Sequence, residues 1–148
     1  RPAGLYQGKS KNILAASQKL IDEYDGVVPS TQKELMKLPG IGKKSSDIVM
    51  RFVFGAPNIA VDTHVFRLLW RLGWADSINE TKASITVNET TPYKYAYGAH
   101  MQLINHAKQV CTSRNPRCSE CVLSEVCDQR DIDVPKSQLL KRNAVKQD

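Results

Sequence analysis

Cysteine is missing from the first 110 residues of this 148-residue chain. A disulfide framework would spread its cysteines through a small domain, so that organisation is excluded for most of the sequence. Long apolar runs are missing too. None approaches the roughly 18–20 residues that a membrane span needs, so no membrane partner is expected. There is no internal repeat, no low-complexity segment and no stretch that reads as a confident strand. No secretory signal is visible, which points to an intracellular protein of the cytoplasm, nucleoid or nucleus. Acidic residues are the minority, 15 against 21 Lys and Arg, for a formal charge of +6. That balance favours a polyanionic partner, although charge alone is weak support for nucleic acid. The chain opens at Arg1-Pro2-Ala3-Gly4 rather than at Met, which reads as a fragment or a processed chain.

What is present is a globular composition, 41% hydrophobic and 24% charged, ordered as helices. Ser10 can cap a helix to about Tyr24, with Ile13, Ala16, Leu20, Ile21 and Tyr24 as its apolar face. Gly26 stops it. Thr31 and Glu34 have capping-box spacing for a short second helix that Pro39-Gly40 ends. A third helix runs from about Gly42 or Lys43 to Phe54, with Ile48, Val49, Phe52 and Val53 as its core face. Ile59-Ala60-Val61 reads as a buried extended linker. Asp62 caps a helix to about Leu72, with Val65, Phe66, Leu69 and Leu72 inward and Gly73 closing it. A weaker helix spans about Asn79–Asn88. The last starts near Pro92, and Tyr97, His100, Met101, Ile104 and Ala107 or Lys108 mark its inner face. After Cys127 the sequence turns polar, with Pro135 and a Lys/Arg-rich end that reads as frayed.

The four cysteines stand together as Cys111-x6-Cys118-x2-Cys121-x5-Cys127. Four thiolates this close can wrap one compact centre. Tetrahedral zinc and a four-iron, four-sulfur cluster both fit. A zinc ribbon more often shows two tight C-x-x-C pairs, whereas the loops of six and five here suit a larger cluster. Unlinked thiols or two disulfides are the plainer alternative. Lys108, Arg114, Arg117 and Arg130 crowd the cysteines, and could present positive charge to phosphates or simply offset the charge of the centre.

Leu38-Pro39-Gly40-Ile41-Gly42-Lys43-Lys44 reads as helix end, tight glycine hairpin and new helix. Glycines let backbone approach a phosphate, and the amides opening the next helix favour negative charge. Such a grip holds backbone rather than sequence. Taken alone, the hairpin could be an ordinary connection, Lys44 a solvated lysine and Asp62 a helix cap. His64, Arg67, Arg71 and His106 read as packing, hydrogen-bonding or phosphate-facing residues.

These features together resemble the endonuclease III branch of the helix–hairpin–helix DNA glycosylases. The resemblance rests on the hairpin, on Ile59-Ala60-Val61-Asp62-Thr63-His64-Val65-Phe66-Arg67, on Leu103-Ile104-Asn105-His106-Ala107 and on the cysteine spacing. Gly4-Leu5-Tyr6 with Lys9 and Asn12-Ile13 looks like the family's lead-in, so the match covers about residues 4–128. It implies an all-α glycosylase fold. Residues 1–75 would be part of a helical barrel, with the helix–hairpin–helix at about 31–54. Residues 76–128 would form a helical and iron–sulfur domain, and 129–148 a polar tail.

The resemblance also implies an activity. Lys44 falls where bifunctional members carry the catalytic lysine, whereas adenine-mismatch relatives carry Ser there and a thymine-mismatch branch Tyr. Asp62 falls on the catalytic aspartate. Cys111, Cys118, Cys121 and Cys127 fall on the ligands of a 4Fe–4S cluster, with zinc the alternative. Gly40, Gly42, Lys43, Arg114 and Arg117 are the expected DNA contacts. The expected partner is double-stranded DNA bearing a damaged base or an abasic site, bound by a monomer. The damaged nucleotide would be flipped out, its base displaced by the lysine amine and the strand cut by β-elimination. The expected substrates are oxidised pyrimidines. A monofunctional glycosylase for mismatched or deaminated bases, and a non-catalytic DNA-binding or redox-sensing iron–sulfur fragment, are the alternatives. Ala107 departs from the family's glycine, and the family's helices before Gly4-Leu5-Tyr6 have no counterpart.

Overall fold

A computed structural model describes residues 6–132, and their regular structure is helical, with no strand among the described residues. Gly4-Leu5 of the lead-in and the polar end with Pro135 lie outside the described residues. The described residues group into two compact units. One holds residues 6–60 with Tyr93–Tyr97, and the other Val61–Pro92 with residues 98–132.

In the first unit, α1 spans Tyr6–Tyr24, α2 Gln32–Leu35 and α3 Lys43–Phe54. The first helix begins a turn earlier than its sequence suggests. Ser10 is therefore inside it, and its hydroxyl donates to the Tyr6 carbonyl at 2.8 Å instead of capping. The periodic face also fails as a core face, because Ile13 and Ile21 are more than 60% exposed. Periodicity says which residues share a face, not that anything covers it. Thr31 does cap α2, accepting from the Glu34 amide. The Glu34 carboxylate does not reach back, however. It takes the Tyr24 hydroxyl and the Lys37 ammonium, each at 2.8 Å.

The inner face of α3 is polar rather than apolar. Ser46, Asp47 and Arg51 are buried, whereas Phe52 and Val53 are exposed. Burial of such groups requires partners, and the partners are present. Arg51 donates to the carbonyls of Asn58, Ala96 and Tyr97, and its guanidinium lies over the Tyr97 ring at 5.0 Å. Leu35, Leu38, Ile59 and Ala60 complete the apolar interior.

In the second unit, α4 spans Thr63–Leu72 and α5 Glu80–Thr90, and α6 runs Tyr93–Gln109 after lending its first residues to the other unit. Val65, Leu68 and Leu69 are the buried apolar residues of α4, while Phe66 and Leu72 are half-buried. Along α6 the buried residues are Ala96, His100 and Ala107, and Tyr97 and Met101 are exposed. His100 and Ala107 of the expected face are buried and Ile104 is half-buried, but Tyr97 and Met101 are not, and Ala96 takes the place that Tyr97 was expected to hold. Size drew the expectation to Tyr97, but the small alanine is what allows close approach. The start of the presumed frayed tail is in fact docked. Arg130 stacks on Trp70 at 4.9 Å and donates to the Ala75 carbonyl, and Trp70 donates to Asp131.

Two predictions follow from the first unit. Gly40 has φ +78°, and a Cβ there would come within 2.8 Å of the Asn12 side chain. Gly40→Ala should therefore destabilise the protein by on the order of 2 kcal/mol in chemical denaturation. Second, the hydrogen bonds from Lys37 and then Tyr24 hold the Glu34 carboxyl below its ordinary value of 4.5. A lowered folded-state value means stability present above the unfolded value and lost as pH falls through the folded one. The melting temperature of Glu34→Gln should thus fall less steeply than wild type below about pH 4.

Candidate functional site

Two separate constellations carry the chemistry-bearing residues. The first is the hairpin. Leu38 accepts from the Ile41 amide at 3.1 Å, and Gly42 accepts from Ser46 to open α3. Gly40 supplies the left-handed conformation. Gly42 is different, since its backbone is extended and a Cβ on it would meet nothing within 4 Å. It caps α3 without any side-chain hydrogen bond. No side chain caps the amides of that first turn, the arrangement in which a helix start can receive an anion.

Lys43 and Lys44 follow, and the structure treats them differently. Lys44 is exposed, with no ion pair among the described residues. Lys43 lies 2.7 Å from both oxygens of Asp47, whose side chain is fully buried. The same carboxylate receives Gln32 Nε2 at 2.5 Å and Asn58 Nδ2 at 2.9 Å. Sequence reasoning passed over Asp47, although its spacing four residues after Lys43 was a visible signal for a pair.

Asp62 leads α4 in the other unit. Its Oδ1 accepts from the amides of His64 and Val65, both at 2.9 Å, so the capping role is present in full. Behind it, Ile59, Ala60 and Val61 are buried, as the linker reading expects. The His64 ring has a buried Nδ1 with no hydrogen-bond partner among the described residues.

The second constellation is the cysteine loop. Cys111, Cys118, Cys121 and Cys127 line one open pocket, together with Leu68, Leu72 and Val110. Arg67 reaches from α4 to the carbonyls of Ala107, at 2.7 Å, and Cys111. Arg71 is buried and donates to the carbonyls of Thr112 and Ser113, and to Cys111 Sγ at 3.6 Å. The Gln129 amide donates to Cys127 Sγ at 3.3 Å, and His106 Nε2 lies 3.4 Å from Cys121 Sγ. Burial pushes the His106 imidazole below its ordinary value. Both arginines are thus structural rather than phosphate-facing.

Arg114 and Lys108 are exposed. Arg117 is partly committed, donating to the Gln109 carbonyl at 2.5 Å and pairing with Glu120 at 3.5 Å. Among the described residues, no three His, Cys, Asp or Glu side chains converge closely enough for one metal ion. Four thiols spread around a cavity suit a group wider than a single zinc ion with its roughly 2.3 Å bonds. The donors aimed at the Cys111 and Cys127 sulfurs suit anionic ligands of such a group.

Comparison with known proteins agrees. The family model for HhH-GPD superfamily base excision DNA repair proteins matches residues 1–92, and that for the iron–sulfur binding domain of endonuclease III matches residues 111–127. The cofactor of this loop is accordingly a 4Fe–4S cluster. The chain is 37% identical to endonuclease III of Buchnera aphidicola subsp. Baizongia pistaciae over 134 residues, 90% of this chain and 62% of the relative. It is 42% identical to endonuclease III of Bacillus subtilis, over 84% of this chain and 57% of the relative. It thus spans about three fifths of the curated relatives it matches. Among solved structures it resembles a trapped endonuclease III–DNA covalent intermediate, with a TM-score of 0.79 and 38% identity over 85% of this chain and 60% of that one. A thermostable thymine-DNA glycosylase matches with a TM-score of 0.72 and 25% identity, over the same shares.

The loop yields a third prediction. Cys121→Ser should purify with little or none of the brown visible absorption and bound iron of the parent protein, as measured by spectroscopy and iron assay.

Proposed function

The chain belongs to the HhH-GPD superfamily of base excision DNA repair proteins, and from that premise we propose that it is a DNA glycosylase and abasic-site lyase acting on oxidised pyrimidines. Its partner is double-stranded DNA with a damaged base or an abasic site, bound by a monomer inside the cell. No helix among the described residues is long and apolar enough to cross a membrane.

The observation that carries the reading is Lys44, an exposed amine without an ion pair among the described residues, in the first turn of α3 behind the open Gly42 turn. A glycosylase that only releases the base needs no lysine at this point, whereas a lyase does. The backbone of Gly40 and Gly42 receives a phosphate together with the first amides of α3. Arg114 and Arg117 add positive charge from the cysteine loop.

With the nucleotide flipped out of the stack, the Lys44 Nζ lone pair attacks C1′ and the base departs with the bonding pair. Asp62 assists with its carboxylate, which stabilises the positive charge developing on the sugar. Nζ then gives up a proton, the C1′–O4′ bond opens with its electron pair and a proton going to O4′, and the resulting Schiff base loses a proton from C2′ as the 3′ phosphate leaves by β-elimination. Cys111, Cys118, Cys121 and Cys127 are the cluster ligands. When bound, the cluster supplies a rigid cross-link that orders the loop. Arg67 and Arg71 hold the first of those ligands in place from α4.

Borohydride trapping on abasic-site DNA tests the assignment. Wild type should form a covalent adduct, and Lys44→Ala should form none; an undiminished adduct would remove Lys44 as nucleophile. Asp62→Asn keeps a good helix cap, so its melting temperature should stay within about 2 °C while base release falls by on the order of a hundredfold or more.

A further inference from the structure

We propose that Asp47 holds the Lys43 ammonium away from the DNA phosphates, so that Lys43, although it opens α3 beside the glycine turn, adds no ionic contact to the bound DNA. The inference rests on the DNA-binding reading above.

The sequence alone makes Lys43 an evident phosphate ligand, placed one residue after Gly42 at the start of a helix. The structure gives that ammonium to a carboxylate instead. Lys43 Nζ lies 2.7 Å from each oxygen of Asp47. The Asp47 side chain has no exposed surface, whereas that of Lys43 keeps about a quarter. The partners are therefore unequal. Lys43 could turn to solvent at little cost, but Asp47 would then keep a fully buried negative charge without that ammonium, with the amides of Gln32 and Asn58 still donating to it. Removing one partner of a buried pair is the expensive operation, because an uncompensated charge remains. A solvated phosphate contact is weak by comparison.

Helix stability does not account for the pair. The cation precedes the anion by four residues, the less favourable order along a helix axis. Lys43 also sits at the end where the helix dipole already repels cations. That position suits a lysine facing a phosphate, and Asp47 cancels it. The consequence is a phosphate grip made of backbone amides with one ammonium fewer than the sequence offers. Such a grip is weaker at low salt and less dependent on salt.

Salt titration of binding reads the number of ionic contacts. Each lysine or arginine on a phosphate contributes about 0.9 to the slope of log Kobs against log salt. The experiment measures fluorescence anisotropy of the full chain with its cluster, on a duplex carrying an uncleavable abasic-site analogue, between about 50 and 200 mM salt. Asp47→Asn is isosteric and neutral. It should steepen the slope by about 0.9, so that affinity falls about threefold more across that range than in wild type. Adding Lys43→Ala to Asp47→Asn should return the slope to the wild-type value. A steepening that persists without Lys43 would reflect net charge alone and overturn the proposal.

The single variant Lys43→Ala guards against failure of Asp47→Asn to fold. If Lys43 already touches phosphate, the single variant flattens the slope by about 0.9 and the proposal fails; an unchanged slope supports it. Wild-type protein that shows no salt-dependent binding at all would overturn the DNA-binding reading itself, and this inference with it. Wild-type binding with identical slopes in all variants overturns only the role of Asp47.

Discussion

A carboxylate that no water reaches must be answered by donors from the chain, and the hairpin unit is assembled around one such carboxylate. Asp47 collects Gln32 from α2, Lys43 from the first position of α3 and Asn58 from the segment after α3. Those segments stand eleven to fifteen residues away or one helical turn away in sequence, yet they meet at a single group. Leaving the charge unanswered would cost several kcal/mol, comparable to the net stability of a whole domain. The entry and exit of the glycine turn are thus fixed by one electrostatic requirement, and the turn itself is left free to be shaped for contact. Arg51 repeats the logic one turn later with the opposite sign, answering its charge with three carbonyls.

The two helices that carry the proposed catalytic residues start in opposite ways. Asp62 satisfies the first amides of α4 with its own oxygen. Gly42 gives α3 no side-chain cap, and nothing among the described residues lies within 4 Å of where its Cβ would be. A glycine at the helix start costs only roughly a few tenths of a kcal/mol relative to a side-chain cap, and leaves the first amides available to a phosphate. The contrast separates an end closed by its own side chain from an end left to the backbone. It also shows why Asp62 looks ordinary by itself: capping and the catalysis proposed for it ask for the same residue at the same place.

Helix boundaries were legible in the sequence because capping is local chemistry. Thr31, Gly42, Gly55, Asp62, Gly73, Asn79 and Pro92 each mark an end that the structure confirms within a residue or two. The cysteine loop was legible because ligand spacing is local too. What each helix faces was not. The inner face of α3 is Ser46, Asp47 and Arg51, and no apolar period can find a polar core. On α6, His100 and Ala107 were legible, but Tyr97 and Met101 were wrongly placed inside because hydrophobicity favours the largest side chains, whereas close packing chose Ala96. Ser10 had the chemistry of a cap and spends it inside α1. Faces are decided by partners distant in sequence, and a single sequence names none of them.

The cysteine loop shows how protein and cofactor divide the work of ordering it. Its entry is fixed by the chain alone. Arg67 binds carbonyls at the C-terminal end of α6, where the helix dipole is negative, and Arg71 binds the next two carbonyls and the first thiol. Leu68, Ala107 and Cys111 then pack as one small core. Beyond Cys111 the chain has only a single short 3-10 turn, Cys118–Glu120, and no further helix among the described residues. A segment so short of regular hydrogen bonds and apolar burial gains its order from cross-links. Half-buried Arg67 and buried Arg71 have no carboxylate partner among the described residues, and so leave positive charge beside the thiols, where an anionic cluster with thiolate ligands needs it. The arginines of α4 therefore place the first ligand and supply compensating charge, and the cluster closes the part of the loop that the chain's own hydrogen bonds hold least.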